Sequence, residues 1–252
     1  MLLKSLATSN CNTDLVGHQS SLGSYEEHKA TFTQVAANSE HMNDIMSTGI
    51  YRAWKDKLIR TLKPTSKTLL LDAAGGNGDI ARRFLNYLDA SGDSKGGQKV
   101  TVCDENENIL KEGRKYAEKN HLNIDWEHCG LEALTFDDKT FNAYTIAFAM
   151  RNSGDKNRVL QEAYRVLKPG GRFLCLEFSH LQNPILRNMY RSQSSETPLG
   201  DDTTPQEELD GSIARFPKQE DFADMIRGVG FKAVTYENIS FGICAIHSGF
   251  KI

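Results

Sequence analysis

Two acids and a knot of glycines in the first half of the chain are spaced for nucleotide chemistry. Asp72 ends the apolar run Leu69 to Leu71, and Gly75, Gly76, Asn77 and Gly78 follow it. Glycines at that density let the backbone turn sharply and come close to a ligand where a Cβ would stand in the way. Folds that bind dinucleotides bring amides to a pyrophosphate with G-x-G-x-x-G, whereas the spacing here is G-G-x-G. A carboxylate directly ahead of the glycines would repel a pyrophosphate, but it suits the positively charged amino-acid end of S-adenosylmethionine. A tight strand-to-helix turn with no ligand would use the same residue types. Asp104 ends the next apolar run, Lys99 to Cys103, and an acid there can accept hydrogen bonds from two ribose hydroxyls. Its other use is to cap the helix that starts near Glu107. Taken together, Asp72, the glycines and Asp104 describe a pocket for S-adenosylmethionine.

The elements that must position these residues can be read from hydrophobic period. Tyr51, Trp54, Leu58 and Leu62 recur at helical spacing, and Lys63-Pro64 ends that helix. Ile80, Phe84 and Leu88 mark a helix directly after the glycines, and residues 107–119 and 155–167 mark two more. Strands are expected at 69–72, 99–103, 123–127, 144–148 and 172–178. Strands alternating with helices of 10–15 residues predict an α/β fold, a mostly parallel sheet with helices on both faces. After a helix at 218–229, two late strands at 231–237 and 243–250 predict an antiparallel hairpin at the sheet's edge. Residues 188–213 are rich in Ser, Thr, Asp, Glu, Gly and Pro, and read as a polar surface loop that cannot bury enough apolar area to order itself. Lys168-Pro169-Gly170-Gly171 reads as a turn into the fifth strand.

Composition narrows the partners. With 252 residues, 39% hydrophobic and 25% charged, the chain fits one globular domain with an embellishment. A net charge of −3 argues against nucleic acid as a partner, which calls for a basic footprint. No apolar run approaches the length that spans a bilayer. The five cysteines form no CxxC pair and the histidines show no ligand spacing, so neither a disulfide framework nor a metal site is expected. Residues 1–30 are read as a tail apart from a domain spanning 31–252. The first 23 residues are Ser/Asn-rich and poor in acids, as in a targeting segment, yet they carry one lysine and no arginine, so a plain tail fits them equally.

Several stretches together resemble one family: Phe32 to Ala36, Met42 to Lys55, the Gly75 loop, Ile146 to Asn152, Arg165 to Phe178 and Ile243 to Lys251. They resemble the ubiquinone/menaquinone-biosynthesis C-methyltransferases, and Leu174 to Phe178 with His247 to Phe250 look nearer to the mitochondrial members. The resemblance implies a class I S-adenosylmethionine-dependent methyltransferase, Rossmann-like, with a seven-strand sheet and an antiparallel C-terminal hairpin. It implies methylation of a ring carbon of a polyprenyl benzoquinol, a mitochondrial location on the matrix side of the inner membrane, peripheral membrane contact, and a homodimer or a quinone-biosynthesis complex. On that resemblance Arg151 stands beside the quinol ring, a fixed cation favouring its phenolate-like form without taking the proton, and Asn152 holds a water or a quinol oxygen. An ordinary ion-paired surface arginine is the alternative for Arg151.

Some positions depart from the family's pattern. Asn77 replaces a threonine in the glycine loop, Ser39 replaces a tyrosine, and Ala149 replaces a glycine. Gly130-Leu131 stand where an acid or amide followed by alanine contacts the adenine, and the polar 191–212 segment replaces a longer apolar one over the acceptor. Two function classes follow: an active quinol C-methyltransferase, or a catalytically weakened methyltransferase-like scaffold in a quinone-biosynthesis complex. A dehydrogenase is disfavoured by the loop spacing.

Overall fold

The computed structural model describes residues 49–93, 98–180 and 205–252. The N-terminal tail, the Met42–Asp44 signature, Ser39 and residues 191–204 of the polar segment lie outside the described residues.

The chain alternates helix and strand as its hydrophobic periods dictate. Helix α1 (Ile50–Leu62) leads to β1 (Leu69–Ala73), α2 (Asp79–Ala90), β2 (Lys99–Asp104), α3 (Glu107–Lys119) and β3 (Asp125–His128). Then come β4 (Phe141–Ala147), α4 (Lys156–Val166), β5 (Leu167–Phe178), α5 (Pro205–Arg215), α6 (Gln219–Val229), β6 (Lys232–Ile239) and β7 (Cys244–Phe250). The seven strands form one sheet in the order β3-β2-β1-β4-β5-β7-β6. The first five strands run parallel, and β7 pairs antiparallel with both β5 and β6. The late hairpin therefore joins the sheet through β7, and β6 forms the outer edge.

Strand alternation separates two apolar layers. Leu70, Val100, Val102, Ala143, Leu174 and Leu176 face Trp54, Leu58, Phe84 and Leu88, while Leu71, Tyr144, Ile146 and Phe173 face Val159, Leu160, Phe222 and Ile226. Successive side chains of a strand point to opposite faces, so strands buried on both sides read as continuous apolar runs. The strand order reverses between β1 and β4, where Ala73 lies opposite Ile146. Loops leaving the carboxyl ends of two such strands diverge and leave a crevice. Asp72 and Arg151 both belong to segments that open there.

One sequence expectation is corrected. Residues 205–212, expected as part of a polar loop, form most of helix α5. Leu209 and Ile213, four apart, put one apolar pair on the layer that holds Trp54 and Phe178, and buried Phe216 follows. Two apolar residues among Asp, Thr, Glu and Ser are too few to give a period, but tertiary packing supplies what the period lacks. The Lys168–Gly171 turn is absorbed into β5, with Gly170 left-handed at φ 81° and its amide donating to the Lys251 carbonyl at 2.6 Å.

Candidate active site

The glycine loop is built around the Asp72 side chain. Leu70 and Leu71 are buried in the centre of the sheet and carry Asp72 with them, to 1% exposure. Its Oδ1 accepts a hydrogen bond from Thr145 Oγ1 of the neighbouring strand at 3.1 Å. Its Oδ2 is buried and has no hydrogen-bond partner among the described residues. Burial pushes the carboxyl up to about 7, against the Thr145 hydrogen bond that favours the ionised form.

The three glycines differ in what they do. A Cβ on Gly75 would lie 2.6 Å from Asp72 Oδ2 and 2.9 Å from Val102 Cγ1, so only glycine lets the chain cross this close above the acid. Gly76 and Gly78 are left-handed, at φ 55° and 82°, and a Cβ on Gly78 would also strike the Trp126 ring at 2.7 Å. Trp126 from β3 thus lies against the loop from the side, where it also abuts Gly113 of α3. Asn77 contributes its carbonyl, which accepts from Arg82 Nη1 at 2.8 Å. Asp79, the first residue of α2, pairs with Lys55 at 2.8 Å and with Arg83 at 3.2 Å. Its burial opposes ionisation, but the Lys55 and arginine charges outweigh it and hold the carboxyl below its usual value.

Asp104 is tied to this loop and does not cap helix α3. The cap is Asn106, whose side chain accepts from the amides of Asn108 and Ile109. Asp104 Oδ2 accepts from the Gly76 amide at 3.0 Å and Oδ1 from the Asn106 amide at 2.8 Å. Burial raises its carboxyl, and those two amides oppose the shift. Each carboxylate oxygen has a second lone pair for a ligand hydroxyl. Gly130 and Leu131 follow β3 in a short turn, with Leu131 packed against the core and nothing within 4 Å of a Cβ built on Gly130.

The other half of the crevice follows β4. Phe148 takes a left-handed φ of 59° and turns the chain into a short 3-10 helix, Met150–Asn152. Arg151 is no surface arginine. Its Nη1 donates to Glu177 Oε1 and to the Phe148 carbonyl, both at 2.7 Å, and its Nε donates to Ser212 Oγ at 3.1 Å. Its backbone amide donates to Glu177 Oε2 at 3.1 Å, and its guanidinium lies 5.3 Å from the Phe178 ring centre. Glu177, 1% exposed at the end of β5, is also hydrogen-bonded by the Phe178 amide. Asn152 is exposed beside Arg151, its amide bonded to the Ala149 carbonyl. Tyr51, Trp54, Phe148 and Phe178 pack together next to this group, Tyr51 stacked on Phe148 at 4.3 Å.

The sequence singles out Asp72, the loop, Asp104, Gly130, Leu131, Arg151 and Asn152, but not Glu177 and Ser212, which hydrogen-bond Arg151. An acid inside the apolar run Leu174 to Phe178 was the available signal for Glu177. Ser212 offered none. Among the described residues no group of three or more His, Cys, Asp or Glu could hold a metal ion.

A model of the ubiE/COQ5 methyltransferase family matches residues 22–251. The chain belongs to that family. A Dictyostelium discoideum protein named mitochondrial 2-methoxy-6-polyprenyl-1,4-benzoquinol methylase is 45% identical, over 89% of this chain and 81% of that one. The human protein of the same name is 44% identical, over 88% and 78%, and the Drosophila melanogaster one 44%, over 94% and 84%. Among solved structures, a SAM-dependent methyltransferase of Thermotoga maritima superposes with a TM-score of 0.61 at 18% identity, covering 86% of this chain and 96% of that one. One from Aquifex aeolicus gives 0.55 at 17% identity, over 79% and 89%. These structures share the fold, and the family's cofactor is S-adenosylmethionine. The expected class I methyltransferase fold, with its antiparallel C-terminal hairpin, is the one observed.

Proposed function

We propose that this chain transfers the methyl group of S-adenosylmethionine to a ring carbon of a polyprenyl benzoquinol in ubiquinone biosynthesis. The observation that carries the reading is the fixed guanidinium of Arg151, on the segment that leaves β4 beside the strand β1 that leads into the glycine loop. The names of the relatives support the acceptor class and a mitochondrial location, to which we add the matrix face of the inner membrane.

The residues fit the cofactor. Among the described residues Asp72 Oδ2 is a buried acceptor without a hydrogen-bond partner, and the Gly75 crossing is one that any Cβ would close. Asp104 is oriented by two backbone amides to take ribose hydroxyls, while Gly76, Asn77 and Gly78 form the wall between the two acids. Gly130 and Leu131 border the adenine end. When bound, S-adenosylmethionine supplies an electrophilic methyl group.

Arg151 then acts on the acceptor. Nη1 and Nε are engaged by Glu177, Phe148 and Ser212, and among the described residues no hydrogen bond takes up Nη2. Nη2 donates to a quinol oxygen and favours its phenolate-like form, which makes the ring carbon nucleophilic. A guanidinium stays protonated, so the hydroxyl proton leaves to water, and Asn152 holds that water or the second quinol oxygen. A weakened scaffold would let these groups drift apart, whereas Arg151 has four hydrogen bonds fixing it. A homodimer or a larger quinone-biosynthesis assembly is the setting we propose, which sizing of the purified protein with and without its partners addresses.

The test is methyl transfer from labelled S-adenosylmethionine to a short-tailed demethyl quinol. Label on a ring carbon of the product, lost in Arg151→Ala, is the expected result. Absence of any ring-methylated product with the native chain would overturn the reading.

A further inference from the structure

The turn from β6 to β7 holds an aromatic side chain out in solvent beyond the carboxyl end of β5. Phe241 is 84% exposed, the most exposed large hydrophobic residue among those described. It sits in three successive left-handed residues, Ser240, Phe241 and Gly242, at φ 49°, 60° and 92°. Left-handed backbone is uncommon in a bulky residue and persists only where its surroundings impose it. Here they do. Trp54 Nε1 donates to Ser240 Oγ at 2.8 Å, Ser179 Oγ donates to the Gly242 carbonyl at 2.8 Å, and the Ile243 amide closes onto the Ser240 carbonyl at 3.3 Å.

An isolated exposed phenylalanine needs no explanation by itself. This one is rigidly presented, and its place is specific. Because β7 runs antiparallel to β5, Cys244 lies opposite Phe178, so the turn ahead of it stands over the carboxyl end of β5. Trp54, bonded to the turn, meets the Phe178 ring edge-on at 6.2 Å, and Phe178 lies under the Arg151 guanidinium. Buried aromatic packing thus links the turn to the proposed acceptor site.

We propose that the Ser240–Gly242 turn is where this protein touches a lipid bilayer, with Phe241 entering the boundary between headgroups and acyl chains. The inference rests on the quinol reading: a polyprenyl tail resides in a bilayer, and a protein acting on its ring must dock at that surface. Aromatic residues favour the interface, and a polar pocket rim with one apolar wedge lies on the membrane without spanning it.

Flotation of the full chain with phosphatidylcholine vesicles, with and without anionic lipid, tests this. Phe241→Asn keeps the left-handed backbone, which asparagine tolerates, and its melting temperature should match the native protein's. Its vesicle binding should fall about tenfold, as expected for withdrawing much of a phenylalanine from an apolar medium. Phe241→Trp should bind at least as well as native. Methylation of a long-tailed quinol in vesicles should fall with binding, while that of a short-tailed soluble quinol stays unchanged. Equal vesicle binding by native protein and Phe241→Asn, or binding by neither, would overturn the membrane contact, as would binding confined to anionic vesicles and indifferent to Phe241. A native protein that methylates short-tailed quinol yet shows any of these leaves the quinol reading standing and removes this one alone.

Discussion

Arg151 Nη1 lies 2.7 Å from Glu177 Oε1, and the Arg151 amide donates to the other oxygen of the same carboxylate. One buried acid therefore fixes both the side chain and the backbone of the residue proposed to face the acceptor. Glu177 follows its strand into the core, where a charge is costly unless paired and hydrogen-bonded. The guanidinium supplies that pairing, and in return its orientation is held while Nη2 keeps its donor capacity.

Glu177 should thus matter to turnover and not to the cofactor. Glu177→Gln keeps the shape but weakens the hold on Arg151, and a displacement of about 1 Å can cost on the order of 100-fold in rate. We expect kcat to fall by that order with the S-adenosylmethionine Kd unchanged, measured by single-turnover assay and calorimetry. Arg151→Ala should lose turnover altogether at unchanged cofactor affinity. Removing one partner of a buried pair also destabilises by about 3–5 kcal/mol, so denaturant midpoints of both variants should drop. Normal turnover in Glu177→Gln would dissociate the pair from the chemistry.

Asp72 gives a pH signature. Its folded value of about 7 lies above the unfolded value of 3.8, so between them the native state holds a proton that the unfolded chain has lost. Stability contributed by this group therefore falls as pH rises from about 4 to 7, and the full deficit remains above 7, on the order of 4 kcal/mol. Asp72→Asn removes the titration. Urea unfolding without cofactor should show the variant gaining on the native protein as pH climbs through that window, then holding a constant lead. A gap that does not vary with pH would mean that Asp72 ionises normally in the folded state.

The parts of the site that could be read from the sequence are those encoded by neighbours along the chain. An apolar strand, an acid and clustered glycines are contiguous, and Asp104 ends its own apolar run, so local pattern carries them. Helices α1 to α4 were visible because each buries one face at a regular period. Glu177, by contrast, reaches Arg151 across the β4–β5 register, and Ser212 reaches it from a helix that packs through Leu209 and Ile213, which show no helical period of their own. Trp126 against Gly78 and Gly113 is likewise a contact between three elements. Pairings of this kind have no period and appear only when the sheet is assembled.

The close crossing at Gly75 predicts a steric effect. Gly75→Ala places a methyl 2.6 Å from Asp72 Oδ2 and 2.9 Å from Val102, neither of which is the free end of a flexible chain. Overpacking of this kind costs about 1–3 kcal/mol. In a chain of this size that lowers the melting temperature by roughly 3–10 °C. The loop must also lift off the acid, so calorimetry should detect no cofactor binding at concentrations that saturate the native protein. A variant with native affinity would show that the crossing relaxes without moving the loop.

Gly130 should behave in the opposite way. Its backbone is not left-handed, and a Cβ there meets no atom within 4 Å, so a side chain can be added without strain. The family resemblance puts an acid or amide at this position, against the adenine. Gly130→Asp should therefore fold as well as the native chain and restore one acceptor for the adenine amino group. A net hydrogen bond contributes about 0.5–1.5 kcal/mol, which corresponds to roughly two- to tenfold tighter binding. Titration with S-adenosylhomocysteine reads the gain free of turnover. Because Gly130 lies after β3 and Arg151 after β4, turnover of bound substrate should stay at the native level while the cofactor KM falls. Unchanged affinity in a stably folded Gly130→Asp would place the adenine away from Gly130 and Leu131, whatever the fate of the acceptor side.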